Sequence, residues 1–368
     1  MSPGDTTRAE TDTIMAQIPS IENHLREHRA RRGWSQEELA RRAGLSRAGI
    51  SAIETDRLVP SAAAALALAE ALECRVEDLF QLRRQAPNDP VWAWPSGRES
   101  CRYWAAEVGG VERLYPAEPT ALGMIPHDGV IHPGAPWGQA AGNARRTLVM
   151  ACCDPAVGLL AAALAGTAGV RLLALQRPSR AALELLEQGL VHAAGVHLSR
   201  ADEPGGNGTV VRGKLGAGYS LLRIARWEEG IALAPESGVR SIRAAVHSDL
   251  RWIGREDGSG ARQCLDELLG SRRTAPRCLA SNHRGVAEAV RGGWADAGVC
   301  LRLVSEEAGL DFFSVREEAY DLCFPTRLAG DHRIQALQEI VRSPLYRKAL
   351  GELPGYDSTE TGQLQQVT

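Results

Sequence analysis

Apolar positions change their period near residue 145. Between residues 20 and 82 they recur at three- and four-residue spacing, with Ile21, Leu25 and His28 sharing one face. SQEELARRAGLSRAGISAIE (35–54) predicts two short helices divided by Gly44. Ser35 followed by Glu38 is a capping box, in which hydroxyl and carboxylate satisfy each other's backbone N–H, and Ser46 caps the next helix. Pro60-Ser61 opens AAAALALAEALE (62–73), rich in the strongest helix former. From 145 onward strand and helix patterns alternate: TLVMACC (147–153), PAVGLLAAALAG (155–166), VRLLALQ (170–176), SRAALELLEQGL (179–190) and AAGVHL (193–198). This βαβαβ run predicts a parallel sheet with helices on both faces. EEGIALAP (228–235) adds a strand, and RWIGRE (251–256), REDGSGARQCLDELL (255–269), DAGVC (296–300) and DFFSV (311–315) predict a second α/β lobe. Residues 331–354 read as helical.

Between 83 and 144 Pro and Gly are frequent, and CRYWAAEVGGVERLYP (101–116) predicts two strands around Gly109-Gly110. Trp92, Trp94, Trp104 and Trp137 bring more aromatic surface than a disordered linker carries. The expected organisation is a disordered leader (1–19), an all-α head (20–82), a connector with a small β element (83–144), an α/β domain (145–355) and a frayed tail (356–368).

A length of 368 residues fits two or three domains, and 44% hydrophobic content supports ordinary cores. A formal net charge of −3 excludes a uniformly basic nucleic-acid coat but leaves room for a local basic face. The positive charge is almost all Arg, with Lys only at 214 and 348. The first 20 residues lack the apolar segment of a secretory signal, and no run of 18 apolar residues predicts a membrane span. The eight cysteines form no CxxC pair. A reduced, cytoplasmic protein is expected.

WSQEELARRAGLSRAGISAIETDRLVPS (34–61) resembles the helix-turn-helix of the phage-repressor (Cro/Xre-like) family, over roughly residues 20–82. Gln36, Leu39, Ala40, Gly44, Leu45, Ser46, Ile50, Ile53, Glu54 and Pro60 carry the likeness. Ala40 is small enough for close helix crossing, and Gly44 supplies a turn that a side chain resists. Ile50 and Ile53 pin the second helix, leaving Arg47, Ala48 and Ser51 for a DNA major groove. The resemblance places Gln36 and Arg57 near phosphates and makes Arg47 the main base reader, because Arg forks onto guanine. Ser46 starts the reading helix, and Ala52 faces the groove with little hydrogen-bonding power. Asp56 stands where the family often has Gly.

The region 145–355 resembles type 2 periplasmic-binding-protein-like domains, in the version fused to helix-turn-helix regulators and related to molybdate binding. CCDPAVGLLA (152–161), GVHL (195–198), EEGIALAP, REDGSGARQCLDELL, SNHRGVAEAVRGGWADAGV (281–299) and LDFFSVREEAYDLCFP (310–325) carry it. It implies two α/β lobes around a ligand cleft, with crossings near 233–240 and 315–322. Ligands in open parallel sheets collect at strand C-termini beside helix N-termini. The candidate ligand residues there are Cys153, Asp154, Gly258, Ser259, Gly260, Arg262, Ser281, Asn282, His283 and Tyr320. Backbone N–H groups, the Ser259 hydroxyl and Arg262 suit a small oxyanion, molybdate among them, or an anionic metabolite. Asp154 and Asp257 would repel such a guest if they pointed inward: either they cap helices and face away, or the ligand has a hydrogen-bond-donating or cationic part.

Plainer roles stand beside these. Cys152 and Cys153 read as strand-end packing residues rather than metal ligands. His283 is equally a structural hydrogen-bonding residue, and Asp296 reads as a turn or cap residue. HDGVIH (127–132) has no usual metal spacing. No metal or resident cofactor is expected.

The reading is a multidomain, one-component transcription regulator. It binds double-stranded DNA as a homodimer on a two-fold site and responds to a small-molecule effector, with no membrane partner. An enzyme working in the cleft is the alternative, although no Ser-His-Asp motif, HExxH, Walker loop or GxGxxG is present. An antitoxin or other partner-binding protein without a small ligand is the third.

Overall fold

Three serines set the helices of the first domain. In the computed structural model, which describes residues 21–55, 57–82, 91–97, 100–132, 143–200, 202–203, 206–270, 276 and 278–368, the hydroxyls of Ser35, Ser46 and Ser61 accept the N–H groups of Glu38, Gly49 and Ala64. Each hydroxyl satisfies a helix-end donor that lacks an internal partner. The helices are α1 (Leu25–Arg31), α2 (Gln36–Ala43), α3 (Arg47–Glu54), α4 (Ala62–Leu72) and α5 (Val76–Leu79). Gly44 ends α2 at φ 66°, a conformation glycine adopts without strain. Leu25, Leu39, Ala40, Ile50, Ile53, Leu68, Leu72 and Leu79 form the core. The head is not purely helical: β1 (Ile21–Asn23) and β2 (Phe80–Leu82) pair antiparallel at its two ends. The expected leader, Asp56, residues 83–90 and Trp137 lie outside the described residues.

The chain divides into two compact units, 1–89 and 90–368. In the second, β3 (Val91–Trp92), β4 (Cys101–Val108), β5 (Val111–Pro116) and β6 (Gly129–Ile131) form a four-stranded sheet in the order β3-β5-β4-β6. Gly109 and Gly110, both at positive φ, make the β4–β5 turn. This corrects the expected connector. Trp104, Val108 and Tyr115 share a core with Val149, Leu173 and Val196 of the large sheet and with Leu183 of the following helix layer, so the segment is part of the second domain.

Among the described residues the large sheet has ten strands. Its first half holds β7 (Thr147–Cys152), α6 (Val157–Ala163), β8 (Arg171–Gln176), α7 (Ser179–Glu187), β9 (Ala193–Val196) and α8 (Gly206–Leu215). β10 (Tyr219–Leu233) leads into α9 (Ile242–His247), β11 (Trp252–Arg255), α10 (Gly260–Leu269), β12 (Cys278–Ala280), α11 (His283–Arg291), β13 (Ala297–Leu301) and α12 (Arg302–Glu307). β14 (Asp311–Pro325) returns to the first half, followed by α13 (His332–Arg342), α14 (Pro344–Gly351), β15 (Tyr356–Asp357) and β16 (Leu364–Val367).

The strands β10 and β14, 15 residues each, pair antiparallel along their length and serve both lobes. In lobe 1, β7 runs parallel to β8 and β9, and β9 joins Asp321–Cys323 of β14. In lobe 2, β11 runs parallel to β12 and β13, and β13 joins Glu229–Leu233 of β10. The β10–β14 register shifts between Glu229 and Gly230, where one lobe gives way to the other. The first crossing therefore lies a few residues before 233–240, inside a continuous strand. The tail is not frayed: β15 and β16 pair with β10, and Val367 and Tyr356 are buried. Among the described residues no helix is long and apolar enough to cross a membrane.

Candidate functional site

The face of α3 opposite Ile50 and Ile53 is open. Arg47 and Ala48 are exposed, and Ser51 and Ala52 are half-buried. Among the described residues Arg47 keeps only a distant approach, 3.9 Å, to Glu37. Ser46 caps the helix, and exposed Arg57 donates to the Thr55 hydroxyl at 3.0 Å. Gln36 is turned inward, donating its amide to Glu54 at 2.8 Å. Glu54 is also gripped by Arg29 at 2.5 and 3.0 Å, an ion pair that ties α1 to α3.

In the second domain, strand C-termini of both lobes meet along the middle of β10 and β14. Cys153 and His197 follow β7 and β9 of lobe 1 directly. Arg255 ends β11, and His283 opens α11 after the Asn282 cap, in lobe 2. Trp227, Glu229, Arg316, Glu318 and Tyr320 rise from the shared strands. These nine side chains are buried.

A chain of contacts runs through them. Cys153 Sγ lies 2.9 Å from His197 Nε2, and His197 Nδ1 lies 2.8 Å from Glu318 Oε2. Trp227 Nε1 donates to the same oxygen at 3.3 Å and stacks on Tyr320 with ring centroids 4.3 Å apart. Arg316 donates to Glu318 at 2.5 Å, to Glu229 at 3.0 Å and to the Gly260 carbonyl of lobe 2 at 3.0 Å. Arg255 pairs with Glu256 at 2.8 Å. Within this cluster, four buried polar atoms have no hydrogen-bond partner among the described residues: Glu229 Oε1, Arg255 Nη1 and both ring nitrogens of His283.

The electrostatics follow from burial and charge. Burial pushes Glu318 upward, but His197 and Arg316 outweigh it and hold the carboxyl below its ordinary range. Burial and the Glu318 charge raise Glu229 to about 8. Burial, then Arg255 and His197, push His283 well below its usual value, so it is a neutral imidazole with one donor and one acceptor. Burial opposes charge on His197, yet Cys153 and Glu318 hold it protonated well above the ordinary range. Burial lifts Asp154 to about 6.

The structure brings only some of the expected ligand residues together. Cys153, Gly260, His283 and Tyr320 belong to the cluster. Asp154 is buried behind it, accepting the Ala156 N–H and the Tyr356 hydroxyl, both at 2.8 Å. Asn282 caps α11 through Gly285, and exposed Ser281 offers its carbonyl to Arg255. Gly258 adopts φ 86° and its carbonyl accepts the Arg180 N–H of lobe 1 at 3.4 Å. Two expectations need correction. The Ser259 hydroxyl is spent within its own turn, donating to the Glu256 carbonyl and accepting the Arg262 N–H. Arg262 turns away to Asp266 and the Arg255 carbonyl. Asp257 faces solvent, and Asp296 accepts the Arg251 N–H. His283 is not a hydrogen-bonded structural histidine.

His197, Trp227, Glu229, Arg255, Arg316 and Glu318 were not among the expected ligand residues. Part of a signal existed: Arg255 and Glu229 adjoin the apolar runs WIG and GIAL, where an unpaired buried charge is costly.

A helix-turn-helix head and a two-lobed domain with polar groups gathered between its lobes define a regulator-like architecture. Residues 25–79 match the helix-turn-helix family model and residues 161–342 the PBP superfamily domain. The chain is 38% identical over 65 residues to the HTH-type transcriptional regulator YgzD of Bacillus subtilis, covering 18% of this chain and 98% of that one. It therefore belongs to the helix-turn-helix transcriptional regulators, and it carries a PBP-like domain behind the head. It is also 27% identical over 186 residues to the protein YvgK of Bacillus subtilis, a match covering 48% of this chain and 60%, less than two thirds, of that relative. Among solved structures it is similar to PhnD1 from Prochlorococcus marinus in complex with methylphosphonate, with TM-score 0.42, 13% identity and coverage of 60% and 93%. A tungstate ABC transporter structure from Geobacter sulfurreducens gives TM-score 0.43, 16% identity and coverage of 56% and 98%.

Proposed function

We propose that the chain is a DNA-binding transcription regulator whose second domain closes on a small polar effector. The unpartnered atoms of Arg255, Glu229 and His283 carry this reading. Buried polar groups nearly always have a partner, and each one left without costs about 1–3 kcal/mol. Two lobe-2 side chains and a carboxylate of the shared strand that lack partners where the lobes meet are accounted for by a ligand. The head supplies the output, with Arg47 as base reader and a homodimer on a two-fold operator in the cytoplasm. Closure that favours one arrangement of the heads gives effector control, for which a coupling of roughly 1–3 kcal/mol suffices.

A small oxyanion, molybdate included, is the effector class expected from the resemblance. The unpartnered Arg255 Nη1 and the outward Asp257 support it. The test is a thermal-shift panel of molybdate, tungstate, phosphate and anionic metabolites on the full chain. Binding of promoter DNA is then measured with and without the stabilising compound. Stabilisation together with altered DNA affinity is expected. Salt-insensitive binding with equal affinity for promoter and random DNA would refute the DNA reading.

A further inference from the structure

We propose that Cys153, His197 and His283 form a three-ligand site for a thiophilic transition-metal cation of the Zn(II), Co(II) or Ni(II) class, bridging the two lobes. The inference rests on reading the cleft as the effector site and names a guest of opposite charge to the expected oxyanion.

The donor set comes first. One sulfur and two imidazole nitrogens, all buried, lie within 4.8 Å of one another. In a tetrahedral site with metal bonds of ~2.0–2.3 Å, ligand atoms stand about 3.5 Å apart. The 2.9 Å Cys153–His197 pair needs only to spread, and His283 to draw in. A thiolate with two imidazoles selects thiophilic divalent ions over hard ones such as Mg(II). Three protein ligands leave a fourth position for solvent or a second small ligand. As the metal bonds form, the Cys153 thiol proton and any proton on His197 Nε2 leave to solvent.

The surroundings form the support that metal-bound histidines use. His197 presents Nδ1 to Glu318 and leaves Nε2 facing Cys153. A carboxylate on the far ring nitrogen fixes the tautomer and makes imidazole a better ligand. Arg316 and Trp227 hold Glu318 in turn.

His283 is the independent observation. It is 1% exposed, and neither ring nitrogen has a hydrogen-bond partner among the described residues. A metal bond to one nitrogen removes that deficit. His197, Glu229 and Glu318 are also mutually close. However, the Arg316 guanidinium already sits on both carboxylates, so a cation there would have to displace it. Two ligands come from lobe 1 and one from lobe 2, so the bound cation favours the closed arrangement.

Co(II) is the probe, added to the metal-stripped full-length chain. The expected spectrum combines the visible bands of tetrahedral Co(II) with a near-ultraviolet thiolate charge-transfer band. Both saturate at one ion per chain and disappear when Zn(II) is added. Cys153→Ser loses the charge-transfer band, whereas Cys278→Ser, at an exposed cysteine outside the cluster, keeps it. Glu318→Gln, which contacts no metal, weakens Co(II) binding roughly 10–100-fold. Because Cys153→Ser itself could fail to fold, the wild-type spectrum and stoichiometry decide independently. A wild-type chain without the thiolate band, or a band that survives in folded Cys153→Ser, overturns the site. If an oxyanion stabilises the chain while Co(II) does not bind, the metal inference falls and the effector-cleft reading stands. If cations, oxyanions and metabolites all leave the chain unchanged, both fall.

Discussion

Gly260 of lobe 2 approaches His197 of lobe 1 so closely that a Cβ on it would stand 2.5 Å from the His197 carbonyl oxygen and 2.6 Å from its Nδ1. Neither atom lies at the end of a flexible side chain, so the contact cannot relax cheaply. Gly260 is also the first residue of α10, where its φ is not positive and alanine suits the helix better than glycine. Gly260→Ala should therefore leave each lobe folded while penalising their closure. Effector or Co(II) affinity should fall at least about tenfold, which is about 1.4 kcal/mol or more, because the bound form is the penalised one. Solution X-ray scattering should show a larger radius of gyration, with circular dichroism unchanged. Unaltered affinity and radius would mean that the lobes do not open.

Arg255, rather than Ser259, keeps an unpartnered polar atom at the cleft. The Ser259 hydroxyl caps α10, whereas buried Arg255 keeps Nη1 unpartnered. Ser259→Ala should cost about 1 kcal/mol of stability, the usual value of a lost cap, with little change in oxyanion affinity. Arg255→Met keeps most of the side-chain volume and removes the charge. It should lower oxyanion affinity by about tenfold or more, the scale of a charge-assisted hydrogen bond. Calorimetric titration with whichever oxyanion the thermal-shift panel selects compares the two. A larger binding loss for Ser259→Ala would reverse the assignment.

On the head, Arg47 is the first residue of α3 and is exposed, with only the loose Glu37 contact to give up among the described residues. Arg47→Ala should leave the thermal midpoint nearly unchanged. Its penalty should fall on specific sequence: about 1–3 kcal/mol lost on the operator, and far less on random DNA. Fluorescence anisotropy at several salt concentrations separates the terms, because loss of a phosphate contact would weaken both DNAs equally and reduce the salt slope. An equal loss on both would make Arg47 a backbone contact.

Much of the architecture could be read from periodicity because local chemistry and global packing agree in it. Ser35, Ser46 and Ser61 cap the helices they precede, and the apolar faces of α2 and α3 meet at Leu39 and Ile50. The alternation from Thr147 to Val196 likewise gives the parallel β7, β8 and β9. Two kinds of feature stayed hidden. Tyr219–Trp227 is the first half of β10, but Arg223 and Arg226 interrupt its apolar run; their partners Asp321 and Glu360 are 98 and 134 residues away along the chain. Helix α8 begins in GNG, composition that normally marks a turn. The cleft was half legible for the same reason. Cys153 and His283 sit at strand and helix ends, where ligands are sought, whereas Glu229 and Glu318 lie mid-strand and meet only when β10 and β14 pair.

His192 sets a pH dependence of stability away from the cleft. Its ring is fully buried, Nδ1 accepting the Val149 N–H at 2.9 Å and Nε2 donating to the Glu107 carbonyl at 3.0 Å. That pattern requires a neutral ring. Burial, then the nearby Arg333 charge, lower its pKa to about 4 from an ordinary value of 6.5. Between those values the unfolded chain takes up a proton that the folded chain refuses, so acidification favours unfolding. The contribution is fully present above pH 6.5 and is lost as the pH falls to about 4. Its size follows from the width of that interval, about 3 kcal/mol. His192→Gln keeps an acceptor and a donor but cannot titrate. In urea unfolding, the stability advantage of the wild type over this variant should shrink by about 3 kcal/mol between pH 7 and pH 4. A pH-independent difference would show that His192 takes up its proton equally readily in the folded and unfolded chain, which the Val149 N–H pointing at its Nδ1 argues against.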